Sequence, residues 1–252
     1  MCFNSETSLF TFSISAVCFL YLFNRGIQTK NKNDVFLSIL TILIGLMQFI
    51  EFFLWENQDC NIINHYFSLF IIFVLFLQGT ILNLVYLKLY PGDSFFSTNF
   101  VKTTIFIYSI FIIYVLYYLN MFSLCSKPSS NSCRLVWDPF IKLNEKNNLL
   151  YIILCIFYFF MFLIIFVNSI YSKNTLFTKY PFRYSFLAIT FIIALIYTVL
   201  TSHFYKEIYI FLQNGNFYNL FKKVFLLSSS DVFGSVWCFL CVFVGIIGIL
   251  KI

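Results

Sequence analysis

Charge is what this chain has least of. Only 10% of its 252 residues are Asp, Glu, Lys or Arg. A soluble domain carries roughly a quarter charged residues, so this surface is not built to stay dispersed in water. No basic run tracks a phosphate backbone, and no nucleic acid is expected as a partner. Histidine is scarcer still: His65 and His203 are the two in the chain, and they do not form an i, i+4 pair. Zinc-dependent membrane hydrolases need several histidines at ligand spacing, so no metal is expected. The last apolar run has no lysine except Lys251 at its end, which excludes a retinal Schiff base. There is no G-x-S-x-G string, no glycine-rich phosphate loop and no dinucleotide fingerprint. Cys238 and Cys241 stand in the string CFLC inside an apolar run, which speaks against a redox or zinc role. No catalytic residue and no cofactor are expected.

What is present is apolar. The chain is 61% hydrophobic and 23% aromatic. A lipid-spanning helix needs about 20 mostly apolar residues. Seven such stretches occur, at about 7–24, 35–55, 65–89, 102–122, 149–171, 183–205 and 231–251. The expected fold is therefore all-α: a seven-transmembrane helix bundle, one polytopic domain over 1–252, with the lipid bilayer as its partner. The first stretch is the shortest and the third the longest. The leading residues carry Glu6 and no Lys or Arg, whereas a secretory signal begins with a basic region. A retained first helix is the reading that fits.

Basic residues in short loops set orientation. With the N-terminus on the non-cytoplasmic side, the cytoplasmic loops hold Arg25, Lys30 and Lys32, then Lys88 and Lys102, then Lys173, Lys179 and Arg183, with Lys251 at a cytoplasmic C-terminus. The loop 56–64 on the other side holds none, whereas the two longer loops there hold Lys127, Arg134, Lys142 and Lys146, and Lys206, Lys222 and Lys223, so the bias is small. Cys2, Cys60, Cys125 and Cys133 all fall on that side, as thiols of a disulfide-bearing face would. Cys125 and Cys133 close a short Ser/Pro/Asn loop and are the expected pair. In the segment 207–229, Phe217, Leu220, Phe221 and Val224 recur at helical spacing beside Lys222 and Lys223. That pattern predicts a short amphipathic helix, lying in the interface or buried as a cap over the bundle mouth.

Polar groups inside apolar runs point to the bundle interior. Glu51, in GLMQFIEFFLW, is the most informative. It stands four residues before Trp55, roughly 6 Å below the boundary. Gln48 is one turn before it, on a line with Ser38, Thr41 and Gly45. Gln78 lies in the third span. His65, His203, Asp231 and Ser235 occupy the outer ends of their spans, and Trp237 lies at the depth of Gln48. These residues are the polar-core and ligand candidates. In the seventh span Asp231, Gly234, Cys238, Cys241, Gly245 and Gly248 form a stripe at the period of a helix pair. The second and seventh spans are expected to pack together, with Glu51 accepting from Ser235 or Trp237; the alternative partner is the third span, which brings His65.

The string GLMQFIEFFLW with Cys60 and Asn64 after it, together with GSVWCF in the seventh span, resembles an uncharacterised multi-pass membrane protein family of large DNA viruses and protists. The resemblance implies no activity. Three functions compete on these features. A structural or assembly component of a membrane ranks first. A ligand- or ion-handling bundle with an outer polar pocket around Glu51 is second, with a small ligand or ion as partner. A membrane-embedded hydrolase using the histidines is third. Oligomeric state and the identity of the membrane are not encoded in any motif.

Overall fold

A computed structural model describes residues 4–92, 94–128, 135–171, 193 and 245–250. Helix α1 (Ser5–Gln28) starts where the Asn4 side chain accepts from the Thr7 N–H at 2.9 Å. It ends in a Schellman turn. Lys30 takes a left-handed backbone (φ 54°), and the N–H groups of Lys30 and Asn31 bond back to the carbonyls of Ile27 and Gly26. Asn31 then caps α2 (Lys32–Glu56). The two helices are thereby folded antiparallel by three residues.

The turn after α2 contains Cys60 in a left-handed backbone and Asn61, whose side chain caps α3 (Ile62–Leu89). Helix α4 (Thr98–Leu119) starts on the Ser97 hydroxyl. The strands β1 (Lys127–Pro128) and β2 (Leu135–Val136) pair antiparallel. Then come α5 (Asp138–Lys146), with Pro139 in its first turn, and α6 (Asn148–Tyr171). A last helical turn covers 245–249.

Five of these helices, α1, α2, α3, α4 and the 148–168 part of α6, are long and apolar enough to cross a membrane. They correspond to the first five expected spans. The third is the longest, at 28 residues, which is about 42 Å of helix. The first is not short: it runs for 24 residues, because the polar Asn4 cap and the Schellman turn extend it at both ends. The fourth begins four residues early, at the Ser97 cap. The sixth expected span, except Ile193, and the seventh, except 245–250, lie outside the described residues. So does the segment 207–229.

Helix α2 is buried around most of its circumference. It packs along α1 on one side and α3 on the other, and α3 in turn meets α4 and α6. The α1/α2 contact is a seam of small residues. Ser8, Thr11, Ser15, Cys18, Leu22 and Gly26 are the buried face of α1. A Cβ on Gly45 would collide with Ser15, and one on Gly26 would lie 2.7 Å from Val35 Cγ2. Small side chains let the backbones approach, which is how helices associate without a hydrophobic driving force. The 245–249 turn sits in the groove between these helices. A Cβ on Gly245 would lie 2.7 Å from Thr41 Cγ2 and 2.9 Å from Cys18 Cβ, and one on Gly248 would meet Leu37 and Leu22. The inner part of the expected seventh span thus meets the second, and the first as well.

Candidate functional site

The start of α1, the end of α2 and the start of α3 meet at one end of the bundle. Here a chain of polar side chains is buried. Gln48 and Glu51 are one helical turn apart on α2 and face the same way. The Gln48 amide Nε2 donates to Glu51 Oε2 at 2.9 Å. That leaves Gln48 Oε1 as an acceptor, and it faces the Thr11 hydroxyl of α1 at 3.1 Å. The Thr11 proton also has the Thr7 and Ser8 carbonyls of its own helix within reach, at 2.8 and 3.0 Å. The other carboxylate oxygen, Glu51 Oε1, accepts from the Trp137 indole N–H at 3.1 Å. Gln48 is 0% exposed and Glu51 1%. An ionisable group at this depth is expensive unless donors surround it. Among the described residues, donors from two different parts of the chain meet that need.

The loop between α4 and α5 delivers Trp137, and a polar lock delivers the loop. Asn64, in the first turn of α3, pairs with Ser126 in both directions: its Nδ2 donates to Ser126 O at 2.9 Å, and its Oδ1 accepts from Ser126 N at 2.8 Å. The same Nδ2 reaches Asn57 O at 2.6 Å. The hydroxyls of Ser68 and Ser126 bond to each other at 2.7 Å. The Asp138 N–H donates to Ser126 Oγ at 3.2 Å, and Asp138 Oδ2 accepts from Cys125 N at 2.8 Å. Burial pushes the Asp138 carboxyl above its ordinary value. The Cys125 N–H and Lys142 pull it down, and Glu145 adds to the rise. His65 belongs to the same lock: its Nδ1 accepts from Leu124 N at 3.3 Å, so Nε2 carries the proton toward Asn120 Oδ1 at 3.1 Å.

A disulfide closes the lock. Cys125 is bonded to Cys60, with Cα atoms 4.9 Å apart. The expected pairing of Cys125 with Cys133 is therefore corrected. The Asn64–Ser126 pairing lays residue 125 beside the α2–α3 turn, and the left-handed backbone at Cys60 places its thiol there. Cys133 lies outside the described residues. Together the disulfide, the β1/β2 ribbon and α5 form a cap, with Pro139, Phe140 and Leu143 buried against the bundle.

Other polar side chains stitch helices elsewhere. Gln78 of α3 donates to Leu43 O of α2 at 3.2 Å. Asn83 donates to Met161 O of α6 at 2.9 Å, and the Tyr86 hydroxyl to Asn168 O at 2.9 Å. At the end opposite the cap, Arg25 Nε meets Asp34 at 2.7 Å, while Nη2 and Nη1 reach the Gly248 and Ile249 carbonyls at 2.8 and 3.1 Å. Arg25 is thus a clamp on three elements and not a solvated loop charge.

Of the sequence candidates, Gln48 and Glu51 come together in one chain, His65 stands in the neighbouring lock, and Gln78 is a separate stitch. His203, Asp231, Ser235 and Trp237 lie outside the described residues. Trp137, whose indole N–H reaches Glu51, was not among the expected donors. Thr11, Ser126 and Trp137 escaped the sequence reading, and Asn64 entered it only as part of the resemblance. The string VWDPF held a signal: Asp-Pro starts a helix, and a lone Trp beside it marks an anchor. Among the described residues no three of His, Cys, Asp and Glu are grouped to hold a metal ion. Comparison of the chain with protein-family models, with curated proteins and with solved structures gives no match.

Proposed function

We propose that this chain is an integral membrane protein whose helix bundle is itself the functional unit, a structural or assembly component of a membrane. One observation carries the reading: Glu51 is 1% exposed and held by Gln48 and Trp137. A carboxylate that serves a ligand or ion presents oxygen to a space. This one presents both oxygens to donors fixed by the fold. Its polarity ties α1, α2 and the cap together, a use of buried polar groups that fixes register.

The same reading orients the chain. The Cys60–Cys125 end belongs on the oxidising, non-cytoplasmic side. The opposite end carries Arg25, Lys30, Lys32, Lys88 and Lys102, as a cytoplasmic face does. The N-terminus is then non-cytoplasmic.

A ligand that binds only the folded state raises its melting temperature in proportion to the logarithm of ligand concentration. Melting the purified protein across series of sodium, potassium, calcium and zinc tests the reading. No rise with the logarithm of cation concentration is expected. A logarithmic rise with one cation that disappears in Glu51→Gln would replace the structural role with ion handling.

A further inference from the structure

We propose that the Cys60–Cys125 disulfide is a redox-sensitive latch on the cap, and that its reduction opens the cap and lets water reach Glu51. The inference goes beyond the structural role and does not depend on it. Cys60 is exposed in its turn and Cys125 is half-buried, so a small thiol reaches the bond; accessible disulfides are the labile ones. The bond closes a long stretch of chain, its cysteines 65 residues apart in sequence. From Cys125 the chain runs through β1 and β2 to Trp137, and Trp137 is the part of the cap that touches Glu51.

The bonds that remain after reduction are local to the same edge. Among the described residues they are the Leu124 N–H on His65, the Asn64–Ser126 pair and the Ser68–Ser126 contact, with the Trp137 N–H on Glu51 beyond them. His65 is half-buried, and its Nε2 contact with Asn120 is exposed, where water competes for that bond. Once the covalent tie is gone, the described part of the cap is held by these hydrogen bonds and by the burial of Leu135, Trp137, Phe140 and Leu143, and locally open states gain population.

The chemistry is ordinary exchange. A dithiol attacks one sulfur as its thiolate, the Cys60–Cys125 bond breaks, and a mixed disulfide forms. The second thiol of the reductant then displaces the remaining cysteine. Two electrons and two protons end on Cys60 and Cys125 as thiols, and the reductant leaves as its own cyclic disulfide.

The test uses the full-length protein in detergent, with and without dithiothreitol. Thiols are blocked with N-ethylmaleimide, carboxyls are labelled with a water-soluble carbodiimide and glycine ethyl ester, and peptides are weighed. Glu51 labelling is expected to rise roughly tenfold on reduction, as a local opening allows. The exposed Glu56 and Asp59 should label equally in both states, and helicity by circular dichroism should stay constant. Unreduced Cys60→Ser should label like the reduced protein, and Glu51→Gln should lose the adduct. Equal Glu51 labelling in both states, whether low or high, would overturn the latch. So would a rise accompanied by loss of helicity, which would mean that the bundle had unfolded and not that the cap had opened.

Discussion

At the scale of single residues, the side chains that matter most are short amides and hydroxyls between backbone segments. Asn64 is fully buried and uses both its donor and its acceptor on Asn57, Ser68 and Ser126. Asn64→Ala leaves several of those groups unpaired and is expected to cost about 3 kcal/mol, read as a lower midpoint in a denaturing-detergent titration. Asp138 gives a pH signature. Its carboxyl is raised in the folded state, so folding favours the protonated form. Its stabilising contribution is complete below the ordinary carboxyl pKa and is lost as pH rises through the folded value. Melting midpoints from about pH 4 to neutrality should therefore fall less in Asp138→Asn than in the parent. Glu51 and Gln48 were legible in the sequence because a polar group in an apolar run stands out. Thr11 was not, since its own helix can satisfy its hydroxyl. Trp137 was not, since nothing local says that its loop folds back over α2.

At the scale of elements, α1 and α2 behave as one hairpin. The Schellman turn at Lys30 and the small seam from Ser8 to Gly26 are both encoded locally. Gly45 has no room for a side chain against Ser15. Gly45→Val is expected to cost about 1–3 kcal/mol by overpacking, and paired cysteines at positions 15 and 45 should cross-link in the native protein. Failure to cross-link would remove the seam. The five long helices were readable from hydrophobic length, but α5, the β1/β2 ribbon and the element ends were not. Asn4, Asn31, Asn61 and Ser97 set them through cap bonds, and those residues look like ordinary loop positions in sequence. The disulfide shows the same limit. Spacing favours Cys133 as the partner of Cys125, whereas Asn64, 62 residues away from Ser126, decides for Cys60.

At the scale of the whole molecule, the described helices assemble around α2, with one end closed by the cap and the other by Arg25. Reporter fusions at Lys30 and at Asn61 should report opposite sides, with Asn61 non-cytoplasmic; the reverse would invert the orientation proposed here. The bundle reading itself turns on whether the Glu51–Trp137 bond ties the cap to α2. Unfolding the parent, Glu51→Met, Trp137→Phe and the double variant in one double-mutant cycle tests it most directly. Coupling of about 1 kcal/mol or more is the expected result, within the span known for hydrogen bonds between helices in membranes. Additivity within about 0.3 kcal/mol would contradict it, because the two side chains would then contribute to stability independently and the cap would not be held through Glu51.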